Sequence, residues 1–178
     1  NIHQGLIHIG YKTGAEKDKE TLGTRIVQMA ADFALRHDLP CVLVLDAFFP
    51  GAGVFRLADS VWSLELRQPL TTLIIRAKKN CTAYFEAVRS EGKNPPGRPR
   101  KYGEKVILTE LSDHAYLFSK VRCRVYGKVE EVSVMAVNLL WKPTGNLIRF
   151  VLATTSVGPA VLMCSDLNQD PVLALELY

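Results

Sequence analysis

Five apolar residues in succession, Cys41-Val42-Leu43-Val44-Leu45, end abruptly on a carboxylate, Asp46. An unbroken branched aliphatic run predicts a strand buried on both faces, which requires a sheet covered by helices. The flanks supply them. Upstream, Leu22, Ile26, Met29, Phe33 and Ala34 recur at helical spacing, with Arg25, Gln28, Asp32 and Arg36 elsewhere. This predicts a helix from Leu22 that turns those apolar positions inward and ends near Asp38, because Pro40 disfavours helix at Leu39. Downstream, residues 48–53 (FFPGAG) read as a turn, and Phe55, Ala58, Trp62 and Leu66 mark a second amphipathic helix broken by Pro69. The stretch 70–80 (LTTLIIRAKKN) is then a second buried strand ending in positive charge. Helix–strand–helix–strand order implies right-handed crossovers and a mostly parallel sheet in this part of an α/β fold.

Past residue 80 the character changes. Residues 90–105 (SEGKNPPGRPRKYGEK) concentrate Pro, Gly and cations and read as a loop without a core of its own. Val121, Cys123 and Val125 then alternate with Arg122, Arg124 and Tyr126, a half-buried strand closed by Gly127. VEEVSVMAVNLLW, a Pro143–Asn146 turn, LIRFVLATTS and AVLMCSD continue it as an antiparallel meander. Asp170-Pro171 opens a helix, Asp as cap and Pro at the first helical position. Its short run to Tyr178, together with a first residue that is Asn1 and not Met, leads us to expect a fragment cut inside a longer helix. Residues 1–10 alternate weakly, as a strand or a loop, and 11–20 read as an exposed charged loop.

Charge and cysteines narrow the classes. Lys plus Arg number 22 against 18 Asp plus Glu, so a polyanionic partner is permitted but not demanded. No apolar run approaches the ~18 residues of a membrane span. Cys41, Cys81, Cys123 and Cys164 stand about 40 residues apart with no CxxC pair, which reads as buried thiols in a reducing cytoplasm and not as zinc or disulfides. No GxSxG, GxxxxGK[ST] or GxGxxG occurs, and beyond the weak pair His3 and His8 none of His3, His8, His37 and His114 stands at ligand spacing from a Cys or another His, nor does local spacing assemble a Ser–His–Asp triad.

Two carboxylates and two cationic groups are left to carry chemistry. Asp46 ends a buried strand, where α/β sheets gather functional groups, and suits a hard cation such as Mg²⁺; the competing reading is a cap for the turn that follows. Asp166 also ends an apolar strand, but Ser165, Asn168 and Asp170 around it are turn and cap formers. Arg76, Lys78 and Lys79 close the second strand, and Arg98, Arg100 and Lys101 stud the loop; both groups suit phosphates, or are a solvated surface.

In order, VLVLDAFFPGAGVF, ADSVW and LTTLIIRAKKN, then PPGRPRKYGEK, then VLMCSDLNQDPVLALELY resemble DDE-type transposases of bacterial insertion sequences, over roughly residues 20–178. The resemblance implies an incomplete ribonuclease-H-like core in 1–80, a basic loop and inserted antiparallel β-rich region in 81–165, and in 166–178 the start of the helix leading to the catalytic Glu. Asp46 matches the second acidic residue of the catalytic triad, and Tyr178 the Tyr of the Tyr-x2-Arg-x3-Glu signature. The first Asp and the final Glu would lie outside the chain; Glu176 comes too early to substitute, and Asp166 matches an accessory position. The implied activity is Mg²⁺- or Mn²⁺-dependent DNA cleavage and strand transfer by in-line phosphodiester displacement. Implied partners are transposon ends and target DNA, with no membrane, a homodimer in the synaptic complex, and a cytoplasmic, nucleoid-associated location. This chain alone would be inactive. A nuclease that hydrolyses without joining, and a non-catalytic DNA-binding or inactivated transposase-derived domain, are the competing readings.

Overall fold

The computed structural model describes residues 21–63, 67–88 and 99–178. The readings of residues 1–20, of Leu66 and of the loop segment 89–98 lie outside them. The elements run α1 (Leu22–His37), β1 (Cys41–Leu45), α2 (Ala52–Ser60), β2 (Trp62–Ser63), β3 (Gln68–Pro69), β4 (Thr71–Arg76), β5 (Thr82–Glu86) and β6 (Tyr102–Ile107). Two short 3₁₀ turns precede β7 (Ser119–Val125), β8 (Lys128–Trp141), β9 (Asn146–Thr155), β10 (Gly158–Cys164) and α3 (Pro171–Leu177).

The chain is α/β, with three α-helices on a mixed eight-stranded sheet ordered β1-β4-β10-β9-β8-β5-β6, where β7 also pairs with β8. β1 and β4 pair in parallel, as the helix-bearing connection between them requires. The other ladders of this sheet among the described residues are antiparallel, so the meander continues the sheet of β1 and β4 through the β4–β10 pairing. β2 and β3 form a separate two-residue pairing.

Strand alternation sorts the core into two layers. Leu73 and Ile75 of β4 face α1 and α2 and pack with Val27, Phe55, Ala58, Phe150, Leu152 and Met163. Ile74, between them, faces α3 and packs with Val132, Val151, Leu162, Cys164, Ala174 and Leu175. Each such side chain, fully buried, contributes about 1.5–3 kcal/mol of transfer free energy. Local signals set the helix ends. Thr21 and Thr24 form a reciprocal capping box on α1, Asp38 ends it in the left-handed region, and the Asp170 carboxylate accepts the Leu173 N–H at 2.7 Å at the start of α3.

Four expectations are corrected. Of the expected apolar positions of α1 only Ala34 is fully buried; the buried stripe is Gly23, Val27, Ala31 and Ala34, while Met29 is 70% and Phe33 56% exposed and Leu22 is exposed too. Periodicity detects an apolar stripe but not which of two neighbouring stripes faces the sheet. Gly23 lets α1 approach Val54 of α2 closely, Val27 packs with Phe55 and Leu73, and Ala31 and Ala34 pack with Val61 and Leu70, while Ile26 packs only at the margin. Second, β1 is not buried on both faces: Val42 is 47% exposed, because α3, the helix on that face, packs chiefly on β7, β8 and β10 and not on β1. Third, α2 stops at Ser60, well before Pro69, and Trp62 is an exposed strand residue, although Phe55 and Ala58 are buried as expected. Fourth, β5 had no counterpart in the sequence reading, and β6 occupies 102–107, part of which was read as loop.

Candidate functional site

Asp46 directly follows β1, and Arg76 is the last residue of β4. The last pair of the parallel ladder is Leu45 with Ile75, and each strand's next residue is one of these two. Both therefore sit at the carboxyl end of the parallel pair. Asp46 is exposed. Its Oδ1 accepts the Phe48 N–H at 2.8 Å, and its carbonyl accepts the Phe49 N–H at 3.3 Å. The carboxylate thus caps the turn into α2, as the structural alternative expected. Its second oxygen has no protein partner among the described residues, so it can face a cation or solvent.

The cations are spread over both faces of this end. Arg76 is half-buried and borders a hollow of about 250 Å³ with Tyr126, Thr155 and Pro159. Tyr126 also meets Tyr178, ring centroids 6.5 Å apart, so the end of α3 reaches the same region. Lys78 and Lys79 are exposed in the turn after β4. Lys78 borders a second cleft, of about 400 Å³, together with Pro50, Asn80, Cys81, Tyr84, Trp141 and Lys142. Arg100 and Lys101 are exposed ahead of β6. A β-carbon on Gly145 would lie 3.4 Å from Lys101 Nζ, so that ammonium stands by the β8–β9 turn that also carries Lys142. Arg98 lies outside the described residues.

Asp166 belongs elsewhere. The Leu73 N–H donates to Ser165 Oγ at 2.9 Å and the Ser165 N–H to the Leu73 carbonyl at 3.1 Å, which ties this turn to the amino-terminal half of β4. Asp166 Oδ1 accepts the Asn168 N–H at 2.8 Å, a turn-forming bond. Arg149 braces the same turn, its Nη1 donating to the Leu167 carbonyl at 2.8 Å and to Asn138 Oδ1 at 3.2 Å. Asp46 and Asp166 are therefore not brought together.

The four thiols are free; Cys123 and Cys164 are buried and Cys41 and Cys81 half-buried. Burial pushes the Cys81 thiol up to about 11, against a smaller opposing hydrogen bond with Trp141. Cys164 is pushed up to about 12, again chiefly by burial, with Arg149 pulling down and Asp166 pushing up. Neither thiol is a nucleophile at neutral pH. Among the described residues no group of three or more His, Cys, Asp and Glu is placed to hold a metal ion, and no helix is long and apolar enough to cross a membrane.

The sequence reading missed Tyr84, Trp141 and Lys142, which share the cleft with Lys78 and Asn80. No local motif marks them, because they converge from β5 and the distant end of β8. No protein-family model matches this chain, and no curated protein does either.

Proposed function

We propose that this chain is part of a metal-dependent DDE-type DNA transposase with a ribonuclease-H-like core, in which Asp46 is one of the metal-holding carboxylates. The observation that carries the reading is the parallel β1–β4 ladder with Asp46 and Arg76 at its carboxyl end. The course of α3 supports it. Its launching turn bonds to β4 near Leu73, toward the amino end, and Tyr178, which caps its carboxyl end, meets Tyr126 beside the hollow of Arg76. A helix that continued past Tyr178 would carry a Glu seven positions on by two further turns, about 10 Å, along that course.

Asp46 fits a hard cation as one ligand, with an exposed carboxylate oriented by Phe48 and one oxygen uncommitted. A bound divalent cation would lower the pKa of an attacking hydroxyl and stabilise the leaving oxygen of a phosphodiester. Arg76, Lys78 and Lys79 would bind DNA phosphates at the same end of the sheet, and Arg98, Arg100 and Lys101 would extend that track.

A second reading, a non-catalytic DNA-binding or inactivated transposase-derived domain, is favoured by the Asp46 turn bond and by the lack of a three-ligand cluster among the described residues. Asp46→Asn in the full-length parent separates the two. Asn caps the same turn but removes the charge. The transposase reading expects Mg²⁺-dependent nicking to fall by at least about 100-fold, a large metal-ligand effect, with DNA affinity within about twofold. Nicking that survives the substitution overturns the assignment of Asp46. A wild-type parent that binds DNA but nicks with neither Mg²⁺ nor Mn²⁺ supports the second reading.

A further inference from the structure

The 400 Å³ cleft between β5 and the β8–β9 turn has a composition that the Asp46 site does not explain. Its lining combines aromatic and apolar surface (Trp141, Tyr84, Pro50, Pro143, Met163) with donors (Lys78, Lys142, Asn80, Thr82), and contains no carboxylate among the described residues. Two ammonium groups without an acidic neighbour select an anion. Flat aromatic walls select a planar ring. The volume matches a small-molecule site, which runs to roughly 300–1,000 Å³.

The walls are held in place before any ligand arrives. Trp141 is 7% exposed and packs edge-on against Phe55 with centroids 5.3 Å apart. Tyr84 packs against Tyr102, also at 5.3 Å. A preformed slot loses little ordering entropy on binding. The lysines stand exposed at the rim, where an anionic group would meet them with the ring inside.

We infer that this cleft binds one nucleotide unit, its base against Trp141 and Tyr84 and its phosphate at Lys78 and Lys142. The site goes beyond the transposase reading, since it uses neither Asp46 nor a divalent cation and is tested in EDTA on the chain itself.

The chain has two tryptophans, Trp62 and Trp141, so Trp62→Phe leaves Trp141 as sole reporter. Thymidine 5′-monophosphate should quench its fluorescence saturably. Thymidine alone and inorganic phosphate alone should each bind at least about tenfold more weakly, because each satisfies only half of the lining. Lys78→Ala with Lys142→Ala, at exposed positions that leave the circular dichroism spectrum unchanged, should weaken the monophosphate by about tenfold or more. A 5′-phosphorylated oligothymidylate identifies the source. Lysine-dependent quenching by the oligonucleotide alone assigns the site to a nucleotide within a strand, and quenching by both ligands admits free nucleotides as well. Absence of saturable quenching by either ligand overturns the proposal, as does quenching indifferent to the two lysines.

Discussion

A β-carbon placed on Gly23 would lie 2.9 Å from Val54 Cγ2. The absence of a side chain at Gly23 is what lets α1 lie against α2, and the same imagined carbon would touch the Phe49 ring at 3.4 Å. Phe49 is in the turn that Asp46 caps, so the helix contact and the candidate site share a support.

Gly23→Ala should therefore destabilise the fold, although Ala is the better helix former. Overpacking against a stiff β-branched neighbour costs about 1–3 kcal/mol, against a propensity gain of roughly 0.5–1 kcal/mol. Urea denaturation should show a net loss of up to about 2.5 kcal/mol by that balance. In a Val54→Ala background the clash is gone, and the same substitution should turn neutral or stabilising. Equal effects in both backgrounds would show that the contact is not the cause.

DNA binding should lose salt dependence when the loop cations are removed. Each phosphate contact contributes a slope of about −0.9 to log affinity against log salt, so changing Arg98, Arg100 and Lys101 to Gln should flatten it by about 2–3. The measurement is fluorescence anisotropy of a labelled duplex from low to moderate salt. An unaltered slope would make this loop a solvated surface without a role in binding.

Stability should fall at alkaline pH through Cys164. The folded thiol holds its proton to about 12, whereas the ordinary value is 9.0. Above pH 9 the unfolded chain loses this proton while the folded chain keeps it, so rising pH favours unfolding until the folded thiol also ionises. Below pH 9 the group leaves stability independent of pH. Denaturation midpoints measured from pH 8 to 11 should fall more steeply in the wild type than in Cys164→Ala. Parallel pH profiles would show that burial does not hold the proton.

Much of the fold was legible locally. The α1 boundaries, the Asp170 cap, the β7–β10 meander and the turn containing Gly145 all follow from short-range chemistry that residues carry with them. The face of α1 was not, because Leu22–Met29–Phe33 and Gly23–Val27–Ala31–Ala34 are both valid helical stripes. The choice between them depends on tertiary contacts, of Gly23 with Val54 and of Ala31 and Ala34 with Val61 and Leu70. β5 escaped because its pairing partners, around residues 102–107 and at Leu140, are remote in the chain.

The candidate site divides in the same way. Asp46 could be singled out in the sequence because a charge that stops an apolar strand is a local event. The placing of Arg76 at the same end of the adjacent parallel strand, and the meeting of Lys78 with Trp141 and Lys142, were decided only in three dimensions. A one-dimensional pattern records each residue's preference for water or core, whereas pairing register and helix approach depend on which distant surfaces fit together.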